Sequence, residues 1–186
     1  LTFVFLGALS IYAAISYTVG NCAYGYKALG DLVVFLFFGL LSVFGTFFLF
    51  SKQIDFRLLF PASAVGLLSA AVLNLNNMRD LESDKKSNKN TLAGYMGRKN
   101  AKVYHFLLIL IAIVLMIVFQ TVMSFSNLMI LSWIAFIPLL LHLKIVYSIT
   151  NPERFDHHLK LVALSTFAMS LLFASVLVIE QLHHSL

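Results

Sequence analysis

Long apolar runs alternate with short polar stretches along this chain. The runs cover Leu1 to Thr18, Leu32 to Phe50, Leu58 to Leu75, Val103 to Val122, Leu128 to Tyr147 and Leu161 to Ile179. A helix needs about 20 apolar residues to cross a bilayer. Only helices and closed barrels leave no backbone group unpaired in lipid. The runs are too long and too evenly apolar for alternating barrel strands. The pattern therefore predicts an all-α polytopic transmembrane helical bundle of about six spans, a single domain over residues 1–186. The first run opens at Leu1 with no initiator Met, so the domain is expected to be N-terminally incomplete.

Local signals refine these elements. Gly7, Ala8, Ser10, Ala13 and Ala14 make the first run rich in small residues, which suit close helix approach in lipid. Pro61 falls in the first turn of its run, where a missing N–H costs little. Pro138 predicts a kink in the fifth. Polar segments are expected at Val19 to Asp31, Ser51 to Arg57, Arg79 to Lys102 and Ser148 to Lys160, with a tight turn at Ser124 to Asn127.

Composition agrees: 60% of residues are hydrophobic, 11% are charged, and mean hydropathy is +0.91. The net charge of +5 is no nucleic-acid signal, because the basic residues sit between apolar runs and form no stripe. Cys22 is the only cysteine, which excludes an internal disulfide or a Cys-based zinc site. Nothing resembles a cleavable signal peptide. The spans sort eleven Lys and Arg residues onto one face and only Lys52 and Arg57 onto the other. The positive-inside rule puts the first face in the cytoplasm, and a bacterial inner membrane is the expected location.

The chemistry concentrates in Asn76 to Gly97, NNMRDLESDKKSNKNTLAGYMG, directly after the third run. Asn76, Asp80 and Asp84 are four residues apart, which on a helix stacks them along one face. Asn77 borders that face. Oxygen donors at the end of a span suit a hard cation, and Mg²⁺ binds through one or two carboxylates plus substrate phosphates. Lys85, Lys86, Lys89, Arg98, Lys99 and Lys102 add charge suited to phosphate oxygens. A solvated loop is the plain alternative, since topology alone explains positive charge here.

The order Asn76-Asn77-Met78-Arg79-Asp80-Leu81-Glu82-x-Asp84, then Lys89-x-Thr91-Leu92-Ala93 and Gly97-Arg98, resembles the second aspartate-rich motif of the intramembrane aromatic prenyltransferases. The menaquinone-pathway branch is the most similar. Tyr17-Thr18-x-Gly20, Gly25-Tyr26-Lys27 and Leu29-Gly30-Asp31 extend the likeness. Two positions depart from the family: Asn88 stands where Gly is usual, and Gly94-Tyr95 where Val-Arg is commoner. Asn is the next most tolerant residue if position 88 needs a left-handed backbone.

The resemblance implies Mg²⁺-dependent transfer of a polyprenyl group from polyprenyl diphosphate to 1,4-dihydroxy-2-naphthoate. Carbon dioxide would be lost and demethylmenaquinone formed. It makes Asp80, Asp84 and Asn77 catalytic, with Asp80 and Asp84 as metal ligands. It assigns Asn76, Arg79, Lys89, Lys27 and Tyr17 to substrate binding. The family's first aspartate motif, Asn-Asp-x-x-Asp, does not occur upstream of Asn76. The chain alone is therefore expected to be inactive.

His105 and His142 fall near span ends and are expected at the interface. His157-His158 and His183-His184 are adjacent pairs that share no helix face, and are not expected to bind metal. A transporter or membrane scaffold is the non-enzymatic alternative, but neither an internal repeat nor broken spans support it. A CDP-alcohol phosphotransferase would need an Asp-Gly-Ala-Arg pattern that is absent.

Overall fold

The computed structural model describes residues 2–19, 23–123 and 127–185. Cys22 and Ser124 to Ser126, the greater part of the expected tight turn, lie outside the described residues. So do the side chains of Thr18, Tyr24, Glu180, His183 and His184.

The described chain is helical throughout, apart from turns and one isolated bridge. Among the described residues, five helices are long and apolar enough to cross a membrane: α2 (Gly30–Ser51), α3 (Phe56–Arg79), α5 (Leu92–Met123), α6 (Leu128–Ser148) and α7 (Pro152–Ile179). The last continues helically to Ser185. A sixth, α1 (Thr2–Thr18), is apolar but has 17 residues. That is about 26 Å of helix against about 30 Å of hydrocarbon. The short α4 (Leu81–Lys86) lies in the polar connection after α3. The protein is thus an all-α integral membrane bundle.

Helix α3 is the central element. Its small buried residues Ala62, Ala64, Gly66, Ala70 and Ala71 let neighbours approach from several sides. The closest approach is to α2. A Cβ on Gly39 would lie 2.6 Å from the Ala62 carbonyl oxygen and 2.6 Å from the Gly66 Cα. Around Gly39, α2 loosens into a π-helical stretch, Phe35–Leu41. The Ser42 hydroxyl donates to the Phe38 and Gly39 carbonyls. Against α5, the α3 face packs on Ala101, Leu108, Ile109 and Ala112. There the buried Asn74 amide donates to the Ala101 carbonyl at 2.9 Å. Val162 and Met169 of α7 complete the core. Leu, Ile and Phe side chains on the outer faces of the helices stay exposed, as lipid contact requires.

Several expectations change in detail. The fifth span does not kink at Pro138. A 3₁₀ stretch, Asn127–Ala135, passes into regular α-helix at Phe136, so Pro138 sits in a first turn that needs no N–H from it. The polar connection after α3 is not a loop up to Lys102, because helix resumes at Leu92. Gly97 interrupts it with φ 73°, ψ 158°, a conformation essentially reserved for glycine. Residues Leu92 to Met96 therefore form a separate turn, and the span proper starts at Arg98.

Candidate active site

The carboxylates sit where α3 ends. The chain bends at Asp80 (φ −88°, ψ 8°). Backbone bonds from Asp80 to Asn76 (2.9 Å) and from Asp84 to Asp80 (2.8 Å) nonetheless carry the four-residue spacing across the bend. Asn76, Asp80 and Asp84 therefore remain one turn apart, as the spacing predicted.

Each carboxylate has a cationic partner. Arg79 Nε and Nη2 donate to Asp80 at 2.7 and 2.8 Å. The same guanidinium donates to Asn76 Oδ1 at 2.7 Å and reaches Asp156 of α7 at 2.5 Å. Arg79 thus ties the end of α3 to the start of α7 and fixes Asn76 and Asp80 together. Hydrogen bonds from Arg79, with the positive charges of Arg79 and Lys89, hold the Asp80 carboxyl below the usual carboxylate range despite partial burial. Lys89 Nζ donates to both oxygens of Asp84 at 3.2 and 3.3 Å.

The turn between these groups is built for that reach. Asn88 adopts φ 55°, the left-handed conformation that Asn tolerates best after Gly. The Lys89 amide then closes back on the Asp84 carbonyl at 2.8 Å. Thr91 Oγ1 accepts from Gly94 N at 3.1 Å and starts the next helical turn. Tyr95 is exposed and points away from the bundle core.

Lys27 arrives from a distant part of the sequence. Ala28 N donates to the Asn90 carbonyl at 2.7 Å, and Asn90 N donates to the Tyr26 carbonyl at 3.3 Å. This parallel bridge straps the Lys27 loop to the Lys89 turn. Below it, Gly25 and Gly30 pack on Tyr17, and a Cβ at Gly25 would stand 2.6 Å from the Tyr17 carbonyl.

Tyr17 lines an apolar cavity of about 590 Å³ between α1 and α2. Asn76 lines another of about 440 Å³, between α2, α3 and α7. Val34 and Phe38 border both, so the two adjoin across α2. Asn77 does not face these cavities with Asn76. It is 3% exposed and its Oδ1 has no hydrogen-bond partner. Asn74, one turn earlier, bonds Ala101, so this edge of α3 faces α5.

Asp31 is buried at the start of α2 and hydrogen-bonded to Tyr104 of α5, with its Oδ1 unpartnered. Its position after Gly30 was visible in the sequence. Its contact with Tyr104 carried no sequence signal.

The sequence reading expected His105 and His142 at the interface, and the structure instead buries both between helices. His105 and His142 are 0% and 1% exposed. Their Nε2 atoms stand 2.8 Å apart, and His142 Nδ1 lies 2.9 Å from His158 Nδ1. The middle ring uses both nitrogens, so each contact needs one shared N–H and the tautomers of all three are linked. This chain pins α5, α6 and α7 together. Among the described residues, no three His, Cys, Asp or Glu side chains are placed to hold one metal ion.

The site therefore offers two carboxylates and flanking cations beside an apolar cavity. That donor set fits a hard cation shared with a bound diphosphate, which needs only one or two protein carboxylates. It does not form an all-protein metal cage.

Comparison with known proteins identifies the family. The model of the UbiA prenyltransferase family matches residues 1–172. The chain is 41% identical over 180 residues to the 1,4-dihydroxy-2-naphthoate octaprenyltransferase of Haemophilus influenzae, covering 95% of this chain and 58% of that protein. It is 49% identical over 118 residues to the Escherichia coli protein of the same name, covering 63% and 38%. A mouse UbiA prenyltransferase domain-containing protein 1 is 33% identical over 129 residues, covering 68% and 37%. The chain thus spans between about a third and three fifths of the length of these relatives. No solved structure gives a significant match.

Proposed function

Because the chain belongs to the UbiA prenyltransferase family, we propose that it carries one carboxylate half of a polyprenyl diphosphate site. The whole protein would transfer the polyprenyl group to 1,4-dihydroxy-2-naphthoate. The observation that supports this best is the pairing of Asp80 and Asp84 at the end of α3 with Arg79, Lys89 and the strapped-in Lys27 loop. Relatives named for this acceptor favour naphthoate over other aromatic rings.

In this reading Lys89 and Lys27 take up diphosphate oxygens, Lys89 exchanging its contact with Asp84 for the substrate. Asp80 and Asp84 are the groups that would hold Mg²⁺, which when bound neutralises charge developing on the departing diphosphate. Arg79 keeps Asp80 ionised and aimed, and Asn76 stands where the polar site meets the apolar cavity. Asn77 lies buried behind Asn76, on the edge of α3 that faces α5.

The allylic C–O bond breaks and its electron pair leaves with the diphosphate. An electron-rich ring carbon then attacks the prenyl cation. When that carbon bears the carboxylate, the C–COO⁻ electron pair restores the aromatic ring and carbon dioxide departs. The apolar walls exclude the water that would quench the cation. With the basic residues in the cytoplasm, the site opens toward the compartment where diphosphate substrates are made.

The test is to offer the full-length protein 1,4-dihydroxy-2-naphthoate and 4-hydroxybenzoate with the same prenyl diphosphate. Preferential transfer to naphthoate is expected. Preference for hydroxybenzoate would overturn the acceptor, and transfer to neither would overturn the activity.

A further inference from the structure

A second basic site lies where α5 and α6 meet, at the same end of the bundle as the carboxylates. It begins at Arg98, just past the break at Gly97. Two of its guanidinium nitrogens, Nε and Nη2, are buried with no hydrogen-bond partner. Arg98 lines a cavity of about 410 Å³ with Lys99, Lys102, Tyr147, Ile149 and Thr150. Lys102 is held in the wall, donating to the carbonyls of Tyr147 (2.9 Å) and Ile149 (2.6 Å) at the end of α6. Arg98 and Lys102 are one helical turn apart and face the same way. Among the described residues, none of the ion pairs includes Arg98, Lys99 or Lys102. Like charges packed together with no acid between them favour an anion in the gap. A small turn of the side chain would bring these buried, unpartnered N–H groups into the cavity, where a guanidinium fork matches phosphate oxygens.

The neighbouring space indicates what the anion is attached to. A cavity of about 280 Å³ adjoins the basic one, sharing Lys102 and Tyr147. Its other walls include Val103, Phe106, Leu143 and Val146. A basic pocket at the start of α5 and the end of α6 thus adjoins a mostly apolar groove between the two helices, with His105 also on its wall. Basic pockets between transmembrane helices are a recognised setting for anionic lipid headgroups.

We propose that Arg98, Lys99 and Lys102 bind the phosphate headgroup of an anionic membrane phospholipid, with an acyl chain lying in the groove between α5 and α6. The site shares no lining residue with the Asn76 cavity. It stands independently of the transfer reaction proposed above.

Native mass spectrometry of the full-length protein, titrated with phosphatidylglycerol or phosphatidylcholine, tests this. In Arg98→Gln, phosphatidylglycerol should bind about tenfold more weakly, the scale of one lost charge-assisted contact. Phosphatidylcholine should bind as before, and Arg98→Lys should fall between. Equal phosphatidylglycerol affinity in wild type and Arg98→Gln overturns the site. A prenyl diphosphate has the same head-and-tail form and is a separate arm. If Arg98→Gln weakens prenyl diphosphate but not phosphatidylglycerol, the phospholipid assignment falls. Inorganic diphosphate that binds at Arg98 while neither lipid does would overturn it too. If Arg98→Gln does not fold, the exposed Lys99→Gln replaces it, and phosphatidylglycerol binding unchanged in that variant overturns the proposal.

Discussion

Replacing Asp80 or Asp84 by Asn separates a catalytic pair of carboxylates from a structural one. Asp80 accepts two hydrogen bonds from Arg79, at 2.7 and 2.8 Å, with its side chain 31% exposed. Asparagine keeps the shape and one acceptor, but its amide N–H group faces the second Arg79 donor. A charge-assisted bond is worth about 1.5–3 kcal/mol when well buried. Solvent screening at this exposure reduces it to about 1 kcal/mol. For a chain of this size that lowers Tm by about 2–4 °C. Asp84 accepts only the longer bonds from Lys89, at 3.2 and 3.3 Å. Asp84 itself is only 8% exposed, so Asp84→Asn, which takes the carboxylate away from Lys89, should cost about 1–3 kcal/mol. Activity should not follow that order. Each variant should lose at least about 100-fold in prenyl transfer, the scale of one strong contact to transition-state charge. Glu82 is exposed and two residues from either carboxylate, so Glu82→Gln should be nearly silent. The assay is product formation by full-length protein in liposomes, with Mg²⁺ titrated against EDTA and Tm measured on the same preparations. Full activity in both Asp variants, indifference to EDTA, or activity losses that merely track Tm would refute the reasoning.

Three further outcomes are expected. Arg79 depresses the Asp80 pKa, so this pair's stabilisation is present above the unfolded value of about 3.9 and disappears as pH falls through the lower folded value. Wild-type Tm should then drop below about pH 4 more steeply than that of Asp80→Asn, and parallel curves would contradict this. Gly97→Ala meets no atom within 4 Å yet imposes a Cβ on φ 73°, so it should cost about 1–3 kcal/mol through the backbone alone; an unchanged Tm would disprove that conformation. His142→Ala removes the ring between His105 and His158 and should cost at least about 3 kcal/mol, from two orphaned nitrogens plus a cavity; a Tm shift under about 2 °C would rule out the chain.

The spans were legible because lipid demands long apolar runs, and α2, α3, α5, α6 and α7 all contain one. The four-residue spacing of Asn76, Asp80 and Asp84 was legible because helix geometry is local, and the left-handed backbone found at Asn88 is one that the residue there tolerates. What escaped was pairing between remote positions. His105 and His142 looked interfacial because their places in the sequence say nothing of the neighbour each meets. His158 was set aside with His157, yet only one of that adjacent pair points inward. Arg79 was expected among the substrate ligands, while its bond to Asp156 depends on α7 folding back beside α3. The break at Gly97 was hidden within a stretch expected to be a loop.

The bridge between Lys27 and Asn90 also has a kinetic meaning. It closes α2, α3 and α4 into a ring of chain sealed by two peptide hydrogen bonds. Neither strap residue moves far without breaking both bonds, so the amides of Ala28 and Asn90 should exchange with solvent as one cooperative unit. Lys89 is covalently next to Asn90, and Lys27 to Ala28. A motion of either backbone segment therefore carries both lysines with it.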